Sequence, residues 1–271
     1  MKSVLILLLR EFDCPMAVAK PKPEPRSPAN AEGLDCSVPR KSPCARMKCH
    51  DLLFMHWPIH ACHLVSLLPA GIELDTFEGQ AWIGIVPFRM SDVTSKWMPP
   101  LPWISRFPEV VVRTCVSFNG RPGLWYFSLD AANRLAMFLA RCMFALPYSD
   151  SHITLRRDGH WRRFHSRRIE AGETVAELDV EYRPVGPASV AESGTLDHWL
   201  TDRYCLFTTN REDQIVRGDF AHPPWRLQKA QAIIHRNTMV NRLGLALPDQ
   251  CPRLLFAKQS PVSVWRNRPG E

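Results

Sequence analysis

The stretch "FPEVVVRTCVSFNGRPGLWYFSLD", residues 107–130, does most to limit what this chain can fold into. Glu109 to Phe118 is rich in β-branched and aromatic residues and reads as a strand. Asn119-Gly120 is the dipeptide best suited to the two positive φ values of a tight hairpin turn, and Leu124 to Leu129 is strand-forming again. From Asp130 the pattern changes. Leu135, Phe138, Leu139, Cys142 and Met143 recur at helical spacing, and Pro147 ends a helix expected over residues 130–146, with Tyr148 and Ser149 in a polar turn. A strand, a helix and a turn in succession can aim side chains into a pocket.

Most other signals are also β. "AWIGIVPFRM" (81–90) reads as a buried strand closed by Pro87. Residues 152–169 form a hairpin turning at Asp158-Gly159, and residues 177–186 alternate Leu178, Val180 and Tyr182 on one face. Shorter strands are expected at 204–209, 214–220 and 254–257. His60 to Leu68 is a helix candidate, with Pro58 in its first turn. The fold class expected is α+β, mostly antiparallel, with a curved or closed sheet and two or three flanking helices.

Residues 14 to 48 are rich in proline and charge and lack periodic apolar residues. Such composition does not bury enough surface to offset ordering entropy. Residues 1–48 are therefore expected to form a disordered extension and 49–271 a single domain. "MKSVLILLL" imitates a secretory leader, but its apolar run covers only Val4 to Leu9, short of the roughly 7–15 residues such leaders use. No run approaches the ~18 apolar residues of a membrane span. The nine cysteines are scattered without a CxxC pair, which favours a reducing compartment, so a cytoplasmic location is expected. The net charge of +7 is spread along the chain and carries no recognised nucleic-acid module.

"LLPAGIELDTFEGQAWIGIVPFRM", "FPEVVVRTCVSFNGRPGLWYFSLDAANRLA", "LPY" and "HPPWRLQKA" followed by "NTM" together resemble the YqjF-like bacterial domain of unknown function, over about residues 52–268. That family resembles a branch of the acetoacetate-decarboxylase-like superfamily. The resemblance implies a conical, closed antiparallel β structure flanked by helices. In the decarboxylases a Pro-Lys-Lys end of the equivalent helix supplies the lysine that forms a Schiff base. The matching positions here are Tyr148 and Ser149, and no lysine lies between Lys96 and Lys229. A phenol or a hydroxyl forms no iminium with a ketone, so Schiff-base decarboxylation is not expected despite the shared fold.

Several residues are candidates for a site. Glu109 matches the acidic position of the decarboxylase segment. Arg113, four residues later in a strand, points to the same face, so the two suit an acid/base pair, a polar anchor or a structural ion pair. Tyr148 can donate to a ligand carbonyl or simply pack at a helix end. Arg89 can reach a carboxylate or lie solvated at a strand end. His56, Trp125, Ser149, Tyr204, His222 and Trp225 are lining candidates, the last two set around the rigid Pro223-Pro224. "HWPIHACH" invites a metal reading of His56, His60 and His63, but no carboxylate accompanies them, and neither a metal nor a cofactor is expected. No GxSxG, phosphate loop or HExxH is present.

The expected function is to bind or transform a small carbonyl- or carboxylate-bearing molecule in an internal cavity. It uses neither nucleic acid nor membrane, and a homo-oligomer is allowed. Two readings stand side by side: an enzyme using Glu109 for acid/base chemistry, and a non-catalytic binding or sensor module.

Overall fold

The chain enters its sheet earlier than the sequence suggests. The computed structural model describes residues 42–95, 106–132 and 146–270. The first described element, β1 (Ala45–Ile59), begins within the expected extension. After β1 come a short helix, α1 (Ala61–Val65), then β2 (Glu73–Leu74) and β3 (Ala81–Ser95). The predicted hairpin forms as β4 (Phe107–Phe118) and β5 (Arg121–Ala131), with φ of 50° at Asn119 and 75° at Gly120. Then follow β6 (Tyr148–Asp158), β7 (Trp161–Glu170), β8 (Glu173–Val190) and a second short helix, α2 (Leu196–Thr201). The chain finishes with β9 (Cys205–Thr209), β10 (Ile215–Ala221), β11 (Arg226–Asn237), β12 (Arg253–Val264) and β13 (Arg268–Pro269).

The thirteen strands of the described residues belong to one mostly antiparallel sheet, in the order β13-β10-β9-β5-β6-β7-β8-β11-β12-β1-β3-β4-β2. Two extra pairings close it. β4 pairs with β5, which completes a large ring running β5-β6-β7-β8-β11-β12-β1-β3-β4. β10 pairs with β12, which completes a small ring running β12-β1-β3-β4-β5-β9-β10. The fold class is therefore the closed, mainly antiparallel one expected. Among the described strands the parallel pairings are those of β5, with β6 and with β9.

The strands β12, β1, β3, β4 and β5 are common to both rings and form a wall between them. Alternate residues of this wall go to different cores. Leu53, Met55 and Trp57 of β1 join Ile83, Ile85, Val110, Val112, Phe164, Val180 and Phe256 in the large ring. Leu52 and Phe54 join Val86, Val111, Leu129, Leu255 and Ala257 in the small ring. A third cluster, Ile72, Val116, Cys205 and Phe207, covers the far end of β4 and β9.

Burial on both faces explains why β1 carries no strand signature in the sequence. "DLLFMHWPI" shows no apolar alternation because neither face meets water. Pro58 does not start a helix. It lies near the end of β1 opposite Trp82, past the last β12 partner at His56, so its missing N–H leaves no gap in that ladder. Pro87 does not close β3 either. It sits where the β1–β3 register shifts between His50 and Met55, a bulge marked by Asp51 at φ 54°. β11 and α2 were also missed. The Lys, Gln and Ala content of β11 hides an alternation that its pairing with β8 imposes.

The expected helix over 130–146 is changed at its ends. Asp130 and Ala131 finish β5, and Tyr148 opens β6 instead of a polar turn, while residues 133–145 lie outside the described ones. Among the described residues no helix is long and apolar enough to cross a membrane.

Candidate functional site

The small ring's face of the shared wall carries a row of chemistry-bearing residues. Cross-strand pairing places His56 opposite Gly84, Gly84 opposite Arg113 and Arg113 opposite Tyr126. Residues directly opposite one another share a face, so His56, Arg113 and Tyr126 project together. The missing side chain at Gly84 makes room for the imidazole. A Cβ there would stand 2.7 Å from both Cδ2 and Nε2 of His56 and 3.5 Å from Cγ of Arg113.

Glu109 lies on the same face of β4, about 13 Å along the strand from Arg113 at ~3.3 Å per residue. The two do not form the ion pair that their spacing suggests. Each engages a tyrosine instead. Tyr148, at the start of β6 beside Leu129, donates its phenol to the Glu109 carboxyl. Arg113 donates to the Tyr126 phenol, and its Nη2 donates to the Leu200 carbonyl at the end of α2 over 3.3 Å. Its guanidinium also lies 5.6 Å over the Phe54 ring.

Burial dominates the electrostatics. It raises the Glu109 pKa to about 8, against the opposing pull of the Tyr148 hydrogen bond, so the carboxyl is largely protonated at neutral pH. Burial, and then the Glu109 charge, push Tyr148 well above the usual phenol range. Burial together with Glu109 also raises the thiol of Cys49 to about 12, which makes it inert. His56 is held well below its ordinary value by burial and by the Arg113 charge, and is neutral. Three atoms of this face are buried with no hydrogen-bond partner among the described residues: Oε1 of Glu109, Nε of Arg113 and Nδ1 of His56.

An aromatic ladder borders the row. His56 stacks on Phe54 at 6.3 Å, Phe54 meets the edge of Trp225 at 5.7 Å, and Trp225 lies 4.5 Å from His222. His222 in turn stacks on Tyr204 at 5.0 Å and Phe220 at 6.0 Å. Nδ1 of His222 donates to the Pro223 carbonyl at 2.8 Å, so the double proline fixes this ring. The Tyr204 phenol donates to Asp202 at 2.6 Å.

The structure thus brings Glu109, Arg113, Tyr148, His56, Tyr204, His222 and Trp225 to one side of the wall. It sends three other candidates elsewhere. Trp125 packs on the third cluster, opposite Phe207. Its neighbour Tyr126 takes the small-ring face, because a bulge opposite Val112 and Arg113 resets the alternation of β5. Ser149 pairs with Asp130 and so points away from Tyr148. Arg89 sits between His50 and Pro108, near the far end of β3. Tyr126, Cys49, Phe54 and Gly84 were missed by sequence reasoning. The "GLWYF" run contained the signal for Tyr126, but not the bulge that selects it over Trp125.

Two further polar groups lie on the large-ring side. Asp130 is bound by Arg168 and accepts from Ser151 at 3.0 Å. Asp51 is fully buried and accepts from Arg157 at 2.6 and 2.7 Å and from Arg162 at 2.7 Å, while its carbonyl accepts from Tyr182 at 2.7 Å. His60 and His63 meet edge to face at 6.0 Å, away from His56. Among the described residues no group of three or more His, Cys, Asp or Glu could hold a metal ion.

The DUF2071 family, described as an uncharacterized conserved protein, matches residues 46–261. The chain belongs to this family. The uncharacterized YqjF protein of Bacillus subtilis (strain 168) is 39% identical over 229 residues, covering 84% of this chain and 93% of that one. Solved structures show the same fold at much lower identity. Acetoacetate decarboxylase from Legionella pneumophila has a TM-score of 0.60 at 11% identity, covering 87% of this chain and 93% of its own. The enduracididine biosynthesis enzyme MppR complexed with pyruvate also scores 0.60, at 14% identity, covering 90% and 94%. This DUF2071 chain therefore has an acetoacetate-decarboxylase-like fold, and its chemistry must be read from its own side chains.

Proposed function

We propose that the small-ring face binds a small carboxylate- or carbonyl-bearing organic molecule and acts on it by acid/base chemistry, without a Schiff base. The reading rests on one observation: Glu109 Oε1, Arg113 Nε and His56 Nδ1 are buried on the same face with no hydrogen-bond partner among the described residues. Buried polar atoms of this kind are rare in proteins and cluster where a ligand completes the hydrogen bonding. Arg113 anchors the ligand's carboxylate through a charge-assisted hydrogen bond. Protonated Glu109, oriented by Tyr148, donates to a ligand carbonyl and can pass its proton to that oxygen as the oxygen gains charge, taking it back when the carbonyl re-forms. Neutral His56 accepts or donates at the ligand's other edge. Phenol and carboxyl groups do not form iminium ions, so this chemistry differs from Schiff-base decarboxylation. The solved structures of MppR with pyruvate and with the condensation product of pyruvate and imidazole 4-carboxaldehyde support a small oxo acid as first probe.

The test combines binding with turnover. Pyruvate and acetoacetate are added to the full chain and followed by thermal shift and by NMR of the small molecule. Arg113→Gln should abolish the shift. Glu109→Gln should keep binding within a fewfold and remove solvent deuterium exchange or conversion. Binding without any turnover in the native chain would favour a non-catalytic binding module. Borohydride trapping of either ketone on the protein would overturn the reading.

A further inference from the structure

Arg113 does not stand in aliphatic surroundings. Its guanidinium lies over Phe54, and from Phe54 the contacts pass through Trp225 to His222 and on to Tyr204 and Phe220, with centroid distances from 4.5 to 6.0 Å. Phe54, Phe220 and Trp225 all pack on the small-ring core that also holds Tyr126 and Tyr148. A core filled only for stability needs volume, and leucine or valine would supply it. A run of planar rings beside a buried cation supplies in addition flat faces and ring edges matched to another π system. Both imidazoles of the ladder are held neutral by burial, so the wall brings no charge of its own to meet a second anionic or cationic group.

We infer that the ligand is an aromatic carboxylic acid, an aryl or heteroaryl oxo acid whose carboxylate meets Arg113 and whose ring lies against the Phe54–Trp225–His222 ladder. This rests on the reading of Arg113 as a carboxylate anchor and narrows it. Short aliphatic oxo acids fill only the polar end of such a site. Dicarboxylates bring a second charge to a neutral wall, where nothing offsets its desolvation cost.

The experiment compares pyruvate, phenylpyruvate and 2-oxoglutarate by calorimetry on the full chain. Phenylpyruvate should bind at least about tenfold more tightly than pyruvate, and 2-oxoglutarate no more tightly than pyruvate. Trp225→Leu, checked for native circular dichroism, should bring the phenylpyruvate-to-pyruvate ratio close to one. Arg113→Gln should lose all binding. If pyruvate binds as well as phenylpyruvate, or the ratio survives Trp225→Leu, the aromatic inference is overturned while the carboxylate site stands. If none of the three binds, the carboxylate site itself falls. The native ratio decides the matter even where Trp225→Leu does not fold.

Discussion

The phenol of Tyr148 donates a hydrogen bond to the buried carboxyl of Glu109, linking the first residue of β6 to the wall between the two rings. Burial keeps Glu109 protonated at neutral pH against the pull of this hydrogen bond, and that balance sets the first prediction.

An unfolded glutamate ionises near 4.5, and Glu109 in the folded chain near 8, raised by burial. Between these values the unfolded chain releases a proton that the folded chain keeps. Stability from this group is fully present below about pH 4.5, declines as pH rises to about 8, and is level above. The slope is at most about 1.4 kcal/mol per pH unit. Glu109→Gln should remove it. Urea unfolding of both proteins at pH 5 to 9 gives the difference, and an unchanged slope in the variant would refute the assignment.

Gly84→Ala places a methyl 2.7 Å from the His56 ring. The expected loss is about 1–3 kcal/mol, the range for overpacking a dense interior. Adding His56→Ala to Gly84→Ala should cost less than the sum of the two single changes, because the clash goes with the ring. Additive costs in denaturant titrations would mean that Gly84 does not cradle the imidazole.

Asp51 is opposed by burial, but the hydrogen bonds and charges of Arg157 and Arg162 prevail and hold its carboxyl below the ordinary value. Its stabilising effect is therefore present above the unfolded pKa near 3.8 and lost as pH falls through the lower folded value. Asp51→Ala leaves Arg162 facing an apolar interior. Losses from breaking buried pairs run to about 3–5 kcal/mol, and solvent around the half-exposed Arg157 reduces this to roughly 2 or more. A thermal melt unchanged by the substitution would show that the tie is dispensable.

Arg168→Met isolates Asp130, whose pKa burial already raises despite the guanidinium. The single change should cost about 3–5 kcal/mol, and the pair Asp130→Asn with Arg168→Met much less. A double-mutant cycle without coupling would count against a buried ion pair.

How far the sequence disclosed the molecule depended on which face of a strand meets water. The β4–β5 hairpin and the β6–β7 hairpin were legible because Asn119-Gly120 and Asp158-Gly159 are local turn signals. β1 was not legible, since its two faces feed two interiors and its apolar residues run without period. Glu109 and Arg113 share a face as their spacing of four requires, but the tyrosine partner of each comes from another strand, which no local pattern reports. The choice between Trp125 and Tyr126 turned on a single bulge. Resemblance supplied the fold; it took the pairing register to show which side chains face which ring.

The wall shared by the rings is one sheet thick. A slip of β4 by one residue against its neighbours would turn Glu109 and Arg113 into the large ring and Val110 and Val112 into the small one. Val110 and Thr114, or Pro108 and Val112, would then take the places of the acid and the cation, and two ionisable groups would be stranded among Phe164, Val180 and Phe256. Reading frame along the partition, more than the identity of any one side chain, keeps the two interiors chemically distinct.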